Sequence, residues 1–268
     1  MSLPVLVSFW HGPMSWLEAL CIASMARHGH RVDVYAYEQP QNFPAGANWR
    51  DAAEILPREQ LVFYKGKGTP AVFSDRFRLE LLRGRRGVYV DLDLYLLAPI
   101  EGPPDYLMAW ERPGSVNSAV LHIPADSALL SDLFSVFSAE NRPLFEPHLS
   151  PLRRLEVAAR RLLGEKIPPE NMQYGATGPM ALTYFVKKHG LADKVLPSSS
   201  YYPVPYEAIP RLMEPGSSVE PFLKPETRGI HLWRSQFTDR GRAGMILPPP
   251  GSAMAALCAR EGIEVGPG

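Results

Sequence analysis

The sequence predicts an α/β fold in which helices flank a sheet with parallel strands, and three observations carry that prediction. Val5–Trp10 is a short apolar run bounded by Pro4 and by His11-Gly12-Pro13, the pattern of a buried strand. Helical spacing follows from Ser15 to His28 and is closed by Gly29, after which Val32–Tyr37 reads as a second strand. Farther on, Val88, Val90, Leu92 and Leu94 alternate with Tyr89, Asp91, Asp93 and Tyr95, which is the period of two of an extended segment. A β-α-β opening of this kind implies parallel strands joined by a right-handed crossover.

The remaining elements follow in order. Residues 39–47 read as loop, Trp49–Leu56 as a short helix ended by Pro57, and Leu61–Tyr64 as a strand. Ser74 is an N-cap type at the head of a helix that runs to Arg83, with Asp75 in its first turn. The strand carrying Asp91 and Asp93 ends at Pro99, and the turn-rich Glu101–Pro104 marks a joint between two halves of the sheet. Ser150-Pro151 opens a helix with Leu152, Leu155, Ala159, Leu162 and Leu163 on one face and Arg153, Arg154, Arg160 and Arg161 on the other. Gly178-Pro179 opens another helix through Lys188. Residues 197–225 are proline-rich loop, Gly229–Trp233 is a short strand, and one short helix follows Pro248-Pro249-Pro250.

Composition narrows the function classes. At 268 residues the chain can bury a sizeable core in one large domain or two small ones. Lys+Arg and Asp+Glu balance at 28 each, so no global field favours nucleic acid, and nucleic-acid binding is not expected. Cys21 and Cys258 each sit in an apolar helical pattern, which fits buried thiols in a reducing cytosol and not a disulfide framework. The N-terminal stretch MSLPVLVSFWHG lacks the basic start of a signal peptide, and no apolar run reaches the roughly 18 residues of a membrane span. A cytosolic protein is expected. The basic edge of the helix after Ser150, diluted by Glu156, reads as a solvated face that also permits peripheral contact with the inner membrane surface.

The chemistry concentrates in Ser74–Leu94. On one strand Asp91 and Asp93 would face the same way, roughly 6–7 Å apart along the chain. Two like charges that close repel, and a divalent cation removes the conflict; carboxylate oxygens suit Mg²⁺ or Mn²⁺. Asp75 and Arg78 share a helix face thirteen residues earlier, which alone reads as a surface ion pair. His231 and Trp233 alternate with Ile230 and Leu232, so imidazole and indole face one way, as a third ligand or as a packed structural histidine. Trp10-His11-Gly12 falls at the carboxyl end of the first strand, where open α/β sheets bind ligands. A phosphotransferase pair of the haloacid dehalogenase kind fits poorly, because Leu94-Tyr95 follows the two aspartates.

Ser74-Asp75-x-x-Arg78, then a glycine and an apolar segment ending Asp91-x-Asp93, resembles the signature of retaining GT-A glycosyltransferases of the DXD sugar-transferase family. That family groups bacterial polysaccharide and lipooligosaccharide transferases, α-1,4- and α-1,6-hexosyltransferases and the clostridial glucosylating toxins. Phe9-Trp10-His11-Gly12, Leu17-Glu18, His28-Gly29-His30-Arg31-Val32, Arg50–Ile55, Phe73–Arg78, Thr177-Gly178-Pro179 and His231-Leu232-Trp233 are similar to its bacterial branch, in order, over most of the chain. Departures are Arg86-Gly87 for the usual two glycines, Ala176 for an acidic residue, and Arg234 for a frequent asparagine.

The resemblance implies a GT-A fold, a Rossmann-like mixed sheet in one domain over residues 1–247. Residues 1–100 would form the nucleotide-sugar half, 101–247 the acceptor half and 248–268 a tail. It implies that Trp10 stacks on the base beside His11, and that Asp75 and Arg78 orient the donor sugar. Asp91 would contact ribose and sugar and share the Mn²⁺ (or Mg²⁺) with Asp93 and His231, with Trp233 by the diphosphate and Asn117 in the pocket wall. The implied activity is transfer of a hexose from a UDP- or GDP-sugar to a glycan or glycolipid hydroxyl. A silent nucleotide-sugar binder and a protein-modifying transferase are the competing readings.

Overall fold

The computed structural model describes residues 3–64, 68–102, 105–137, 151–165, 168–239 and 244–265. Ser150 and Pro103-Pro104, on which two of the expectations above fall, lie outside them, as do the side chains of Arg153 and Arg154. Six strands form one mixed sheet. β1 (Leu6–Phe9) pairs in parallel with β2 (Val32–Ala36) on one side and β4 (Val88–Val90) on the other, and β3 (Asn48–Asp51) extends the parallel part beyond β2. β7 (Ser115–His122) joins β4 antiparallel and carries β6 (Leu107–Arg112) at the far edge. The expected α/β class, a mixed sheet flanked by helices, is present in the order β3-β2-β1-β4-β7-β6.

β1 is buried on both faces, as a central parallel strand must be. Val7 and Phe9 pack on Phe73 and Phe77 of helix α2 (Ala71–Arg83), together with α3 (Ala128–Ser135) and α5 (Pro179–Lys188). Leu6 packs oppositely, on Ile22 and Met25 of α1 (Trp16–Arg27). Ser15 caps α1, and Glu18 reaches back to the Ser15 N–H at 2.7 Å. Where β4 starts beside β1, a Cβ on Gly87 would stand 2.2 Å from the Val5 carbonyl oxygen, at a φ of +152°. Only glycine lets the two strands close there.

A second layer lies beyond α1. β5 (Leu94–Leu96) pairs antiparallel with β8 (Gly229–His231), and both pack with α1 and α6 (Ala253–Arg260) around Leu17, Tyr95, Ile230, Phe237 and Met254. Cys21 and Cys258 are free thiols buried in this cluster. Glu261, just past α6, accepts from the Tyr95 hydroxyl (2.7 Å) and from Arg27 (2.9 Å), so the short C-terminal helix is tied to the body. Among the described residues no helix is long and apolar enough to cross a membrane.

Several elements differ from the sequence reading. Asn48–Asp51 is strand where a helix was expected, because pairing with β2 satisfies its backbone; only Ala52–Glu54 keeps a 3₁₀ turn. Leu61–Tyr64 is irregular instead of extended, its end closed locally by Tyr64 N–H to the Thr69 carbonyl at 2.9 Å. α2 starts a turn before Ser74. The Ser74 N–H already bonds the Pro70 carbonyl at 2.8 Å, and Val72 and Phe73 gain buried positions. Residues 107–135 carry a hairpin and a helix that the sequence reading left unassigned.

Candidate active site

A cavity of about 710 Å³ opens at the carboxyl ends of β1 and β4, the place where α/β sheets hold ligands. Trp10 and His11 leave β1, Asp91 and Asp93 leave β4, α2 supplies Asp75 and Arg78, and β8 delivers His231 with Trp233 two residues on. All eight residues that the sequence singled out line this one cavity. The segment around Tyr174–Pro179 and Asn117-Ser118 of β7 complete its wall.

Asp91 and Asp93 do not share one strand, as the alternation predicted. β4 ends at Val90, and the Leu94 N–H bonds the Asp91 carbonyl at 3.2 Å, making Asp91–Leu94 a turn. The turn passes the chain from the central sheet to β5, and Leu92, 2% exposed, plugs the core beneath it. The carboxylates converge nonetheless, because Asp91 is drawn to α2 and Asp93 to β8.

Arg78 organises the α2 side. Its guanidinium donates to Asp75 Oδ1 (3.0 Å), to Ser118 Oγ, to the Tyr89 hydroxyl (3.4 Å) and to Asp91 Oδ1 (3.2 Å), and it stacks on the Tyr89 ring. Tyr89 donates its own proton to Asp91 Oδ1 at 2.9 Å, and Thr177 Oγ donates to Asp75 Oδ2 at 2.7 Å. Arg78 and Asp75 are both buried. Burial lifts the Asp75 and Asp91 carboxyls above the ordinary range, although Arg78 pulls each the other way. This is no surface ion pair: a delocalised cation holds two otherwise costly carboxylates on the cavity floor.

The β8 side works differently. His231 Nε2 lies 3.1 Å from Asp93 Oδ1, and the Arg234 N–H donates to Asp93 Oδ2 at 2.8 Å. Burial penalises the Asp93 carboxylate, yet the His231 charge and these hydrogen bonds bring it below the ordinary range. Burial likewise opposes the imidazolium, but Asp93 and then Asp91 raise His231 above the usual histidine value. Trp233 reaches the cavity through a left-handed backbone (φ 47°, ψ 85°), with its ring centroid 4.4 Å from that of His231. Such a conformation is costly for a bulky residue and persists because the surroundings hold it. Arg234 then bridges to Glu18 (2.8 Å) and lies over the Trp10 ring at 5.5 Å.

One ligand atom each from Asp91, Asp93 and His231 lie within 4.8 Å of one another, and His231 Nδ1 is buried without a hydrogen-bond partner. Two carboxylates and an imidazole fit Mn²⁺ better than Mg²⁺, which prefers oxygen alone.

Tyr89 and Ser118 shape the site with no motif to betray them, whereas Glu18 and Gly178 fall in stretches that carry the resemblance but had no role assigned to them singly. Glu18 and Tyr89 are legible only as a capping residue and a strand residue, while Asn117 is pinned by Glu111 (2.8 Å) and the Ala119 N–H (2.8 Å). Gly178 is decided by space. A Cβ there would stand 2.6 Å from Asp75 Oδ1 and 2.7 Å from Oδ2. Gly178→Ala is therefore expected to push Asp75 off Thr177 and to destabilise the fold by on the order of 2 kcal/mol in urea denaturation. An unchanged midpoint would show that this segment slides freely past α2.

No family model, no curated protein and no solved structure matches this chain. What the site can do follows from its own groups: a flat aromatic at one end, a cation between carboxylates in the middle, and a three-donor cluster beside it.

Proposed function

We propose that the chain is a metal-dependent, retaining glycosyltransferase of GT-A type that moves a hexose from a nucleotide-diphosphate sugar to a hydroxyl of a glycan or glycolipid. One observation carries the reading: the Asp91, Asp93 and His231 donor cluster and the Asp75–Arg78 pair occupy one cavity with Trp10 at its mouth. The half-buried Trp10 indole offers a stacking face for a base, and Arg234 above it adds a cation for the phosphates. Mn²⁺, when bound by Asp91, Asp93 and His231, would neutralise the charge that gathers on the diphosphate as the glycosidic bond breaks.

The chain's own side chains set the rest. Arg78 and Asp75, locked by four partners, place polar groups where the hexose hydroxyls would lie, and such positioning supplies several kcal/mol of barrier reduction. Every carboxylate lining the cavity is held: Asp75 by Arg78 and Thr177, Asp91 by Arg78 and Tyr89, Asp93 by His231 and the Arg234 N–H. None among the described residues is left to attack the sugar, which favours direct approach of the acceptor hydroxyl on the leaving-group face. The acceptor oxygen–carbon bond forms as the carbon–phosphate-oxygen bond breaks, and the hydroxyl proton passes to the departing phosphate. Configuration is retained.

The test is a panel of UDP- and GDP-sugars incubated with the protein, with and without Mn²⁺, reading released nucleotide. Metal-dependent release from one donor is expected, since water can replace the acceptor. Failure of every donor both to bind and to turn over would remove the reading; binding without release would leave a nucleotide-sugar binder.

The raised His231 value adds a pH prediction. Protons and the metal compete for the imidazole. In the metal-free protein the His231–Asp93 ion pair contributes stability that is present below the unfolded histidine value and is lost as pH rises through the raised folded value. Metal therefore gains as the proton leaves. The Mn²⁺-induced rise in Tm is expected to grow between about pH 6 and pH 8, the histidine window. A rise that is flat with pH would take His231 out of the donor set.

A further inference from the structure

We infer that the Tyr174 ring is the stacking platform of a saccharide subsite separate from the donor's, so that the acceptor presents a pyranose ring to the cavity. Calling that saccharide the acceptor rests on the transferase reading; the subsite itself does not. Tyr174 is 51% exposed. Other large apolar side chains left open among the described residues stand elsewhere: Leu152, Leu155 and Leu162 on α4 (Pro151–Leu162), Trp49 on β3 and Tyr184 on α5. Of that exposed set, Tyr174 alone lines the cavity. Local structure explains its presentation. The Ala176 N–H bonds the Gln173 carbonyl at 3.0 Å and Gly175 takes φ +84°, which puts Tyr174 at the corner of a tight turn. The ring packs against that of the buried Tyr64, with centroids 5.3 Å apart. The Tyr64 hydroxyl lies 3.4 Å from Thr177 Oγ, which donates to Asp75 at 2.7 Å. The platform is thereby fixed relative to the carboxylate that the transferase reading sets against the donor hexose.

The surroundings of the ring select a sugar. The face of a tyrosine ring is negative and attracts the polarised C–H groups of a pyranose. An apolar tail laid there would leave polar groups of the cavity unpaired, and an anion would meet its carboxylates. Burial, then the charges of Asp75 and Asp91, raise the Tyr174 hydroxyl above its ordinary value, so the phenol keeps its proton beside the cavity floor. Asn117 adds direction on the same wall. Its amide gives one N–H to Glu111 (2.8 Å) and accepts the Ala119 N–H on its oxygen (2.8 Å), which leaves its second N–H for a sugar hydroxyl. The Val116 N–H donates to Thr183 Oγ at 2.8 Å and ties β7, which carries Asn117, to α5, the helix that follows the Tyr174 turn. Base, diphosphate and donor hexose already have their groups in Trp10, the Asp91–Asp93–His231 cluster and the Asp75–Arg78 pair. Tyr174 belongs to none of these.

The experiment is saturation-transfer NMR of the full chain with a panel of methyl hexopyranosides and hexose disaccharides, in the presence of Mn²⁺ and UDP or GDP. Glycerol serves as the acyclic control. At least one saccharide is expected to bind, receiving its strongest transfer on a C–H face, while glycerol gives no signal. Tyr174→Phe should keep the binding. Tyr174→Leu and Tyr174→Gln should each weaken it by about tenfold with Tm little changed, since half of the ring is exposed. A nucleotide sugar that binds should leave the glycoside in place or convert it to product. Tyr174-dependent saccharide binding in a chain that binds no nucleotide sugar would keep the subsite and remove the transferase reading. Equal binding by the folded Leu and Gln variants, displacement of the glycoside by the nucleotide sugar without product, or no saccharide bound across the panel would each overturn the inference.

Discussion

Asp93→Asn is expected to abolish Mn²⁺-stimulated nucleotide release, a fall of about 10³-fold or more, while leaving the protein folded. The carboxylate is the centre of the three-donor cluster, 3.1 Å from His231 and held by the Arg234 N–H. An amide keeps that backbone bond through its own oxygen but loses the charge that draws a cation. His231 then loses its main reason to be charged, because Asp93 is the strongest group raising it against burial. Asp91 loses a like-charged neighbour and falls toward the ordinary carboxyl range. These two changes oppose each other, so the metal-free Tm should move little. The decisive pair of readings is release with Mn²⁺ and the Mn²⁺-induced Tm shift, and both should vanish together. Retention of metal-dependent release would sink the assignment of the cluster, whatever the Tm does.

The elements that the sequence made legible were those whose local pattern and tertiary role agree. β1, α1 and β2 combine an apolar run, a Ser15–Glu18 capping box and a terminal glycine, and each is found where the pattern puts it. Asp91 and Asp93 show the limit of periodicity. Alternation of apolar and polar residues from Val88 to Tyr95 fits one strand and equally fits two short strands around a turn, since the turn happens to preserve the buried–exposed rhythm. Only pairing partners distinguish them: β7 for Val90 and β8 for Leu94. Asn48–Asp51 became strand for the same reason, through a partner distant in sequence. The β6–β7 hairpin did carry a usable signal, Pro113-Gly114 with Gly114 at φ +81° between two apolar runs. Within the site, residues of charged or metal-binding type were legible by chemistry, whereas Gly178 and Ser118 act through proximity to Asp75 and Arg78, which no spacing encodes.

Arg78→Met should be the most destabilising single change at the site, about 3 kcal/mol at neutral pH, because it strands the buried Asp75 and the half-buried Asp91 without their cation. Asp75 lies 7% exposed and keeps only Thr177, and Asp91 keeps only Tyr89. Lysine would not rescue the loss: one ammonium cannot serve Asp75, Ser118, Tyr89 and Asp91 at once, nor stack on the Tyr89 ring. The sign of the pH dependence separates this electrostatic account from simple loss of packing. Burial already raises Asp75 and Asp91, and Arg78 is the largest group holding them down. Without it both folded-state values climb farther above the unfolded ones. An acid raised on folding destabilises the protein while ionised, and that penalty disappears as pH falls through the folded value. The deficit of Arg78→Met relative to wild type should therefore shrink on acidification from pH 7.5 to pH 5, and adding Asp75→Asn should recover part of it at pH 7.5. Urea denaturation of the three proteins at both pH values reads this directly. A deficit that is the same at both would mean that Arg78 acts by filling space, and the burial of Asp75 would then need another explanation.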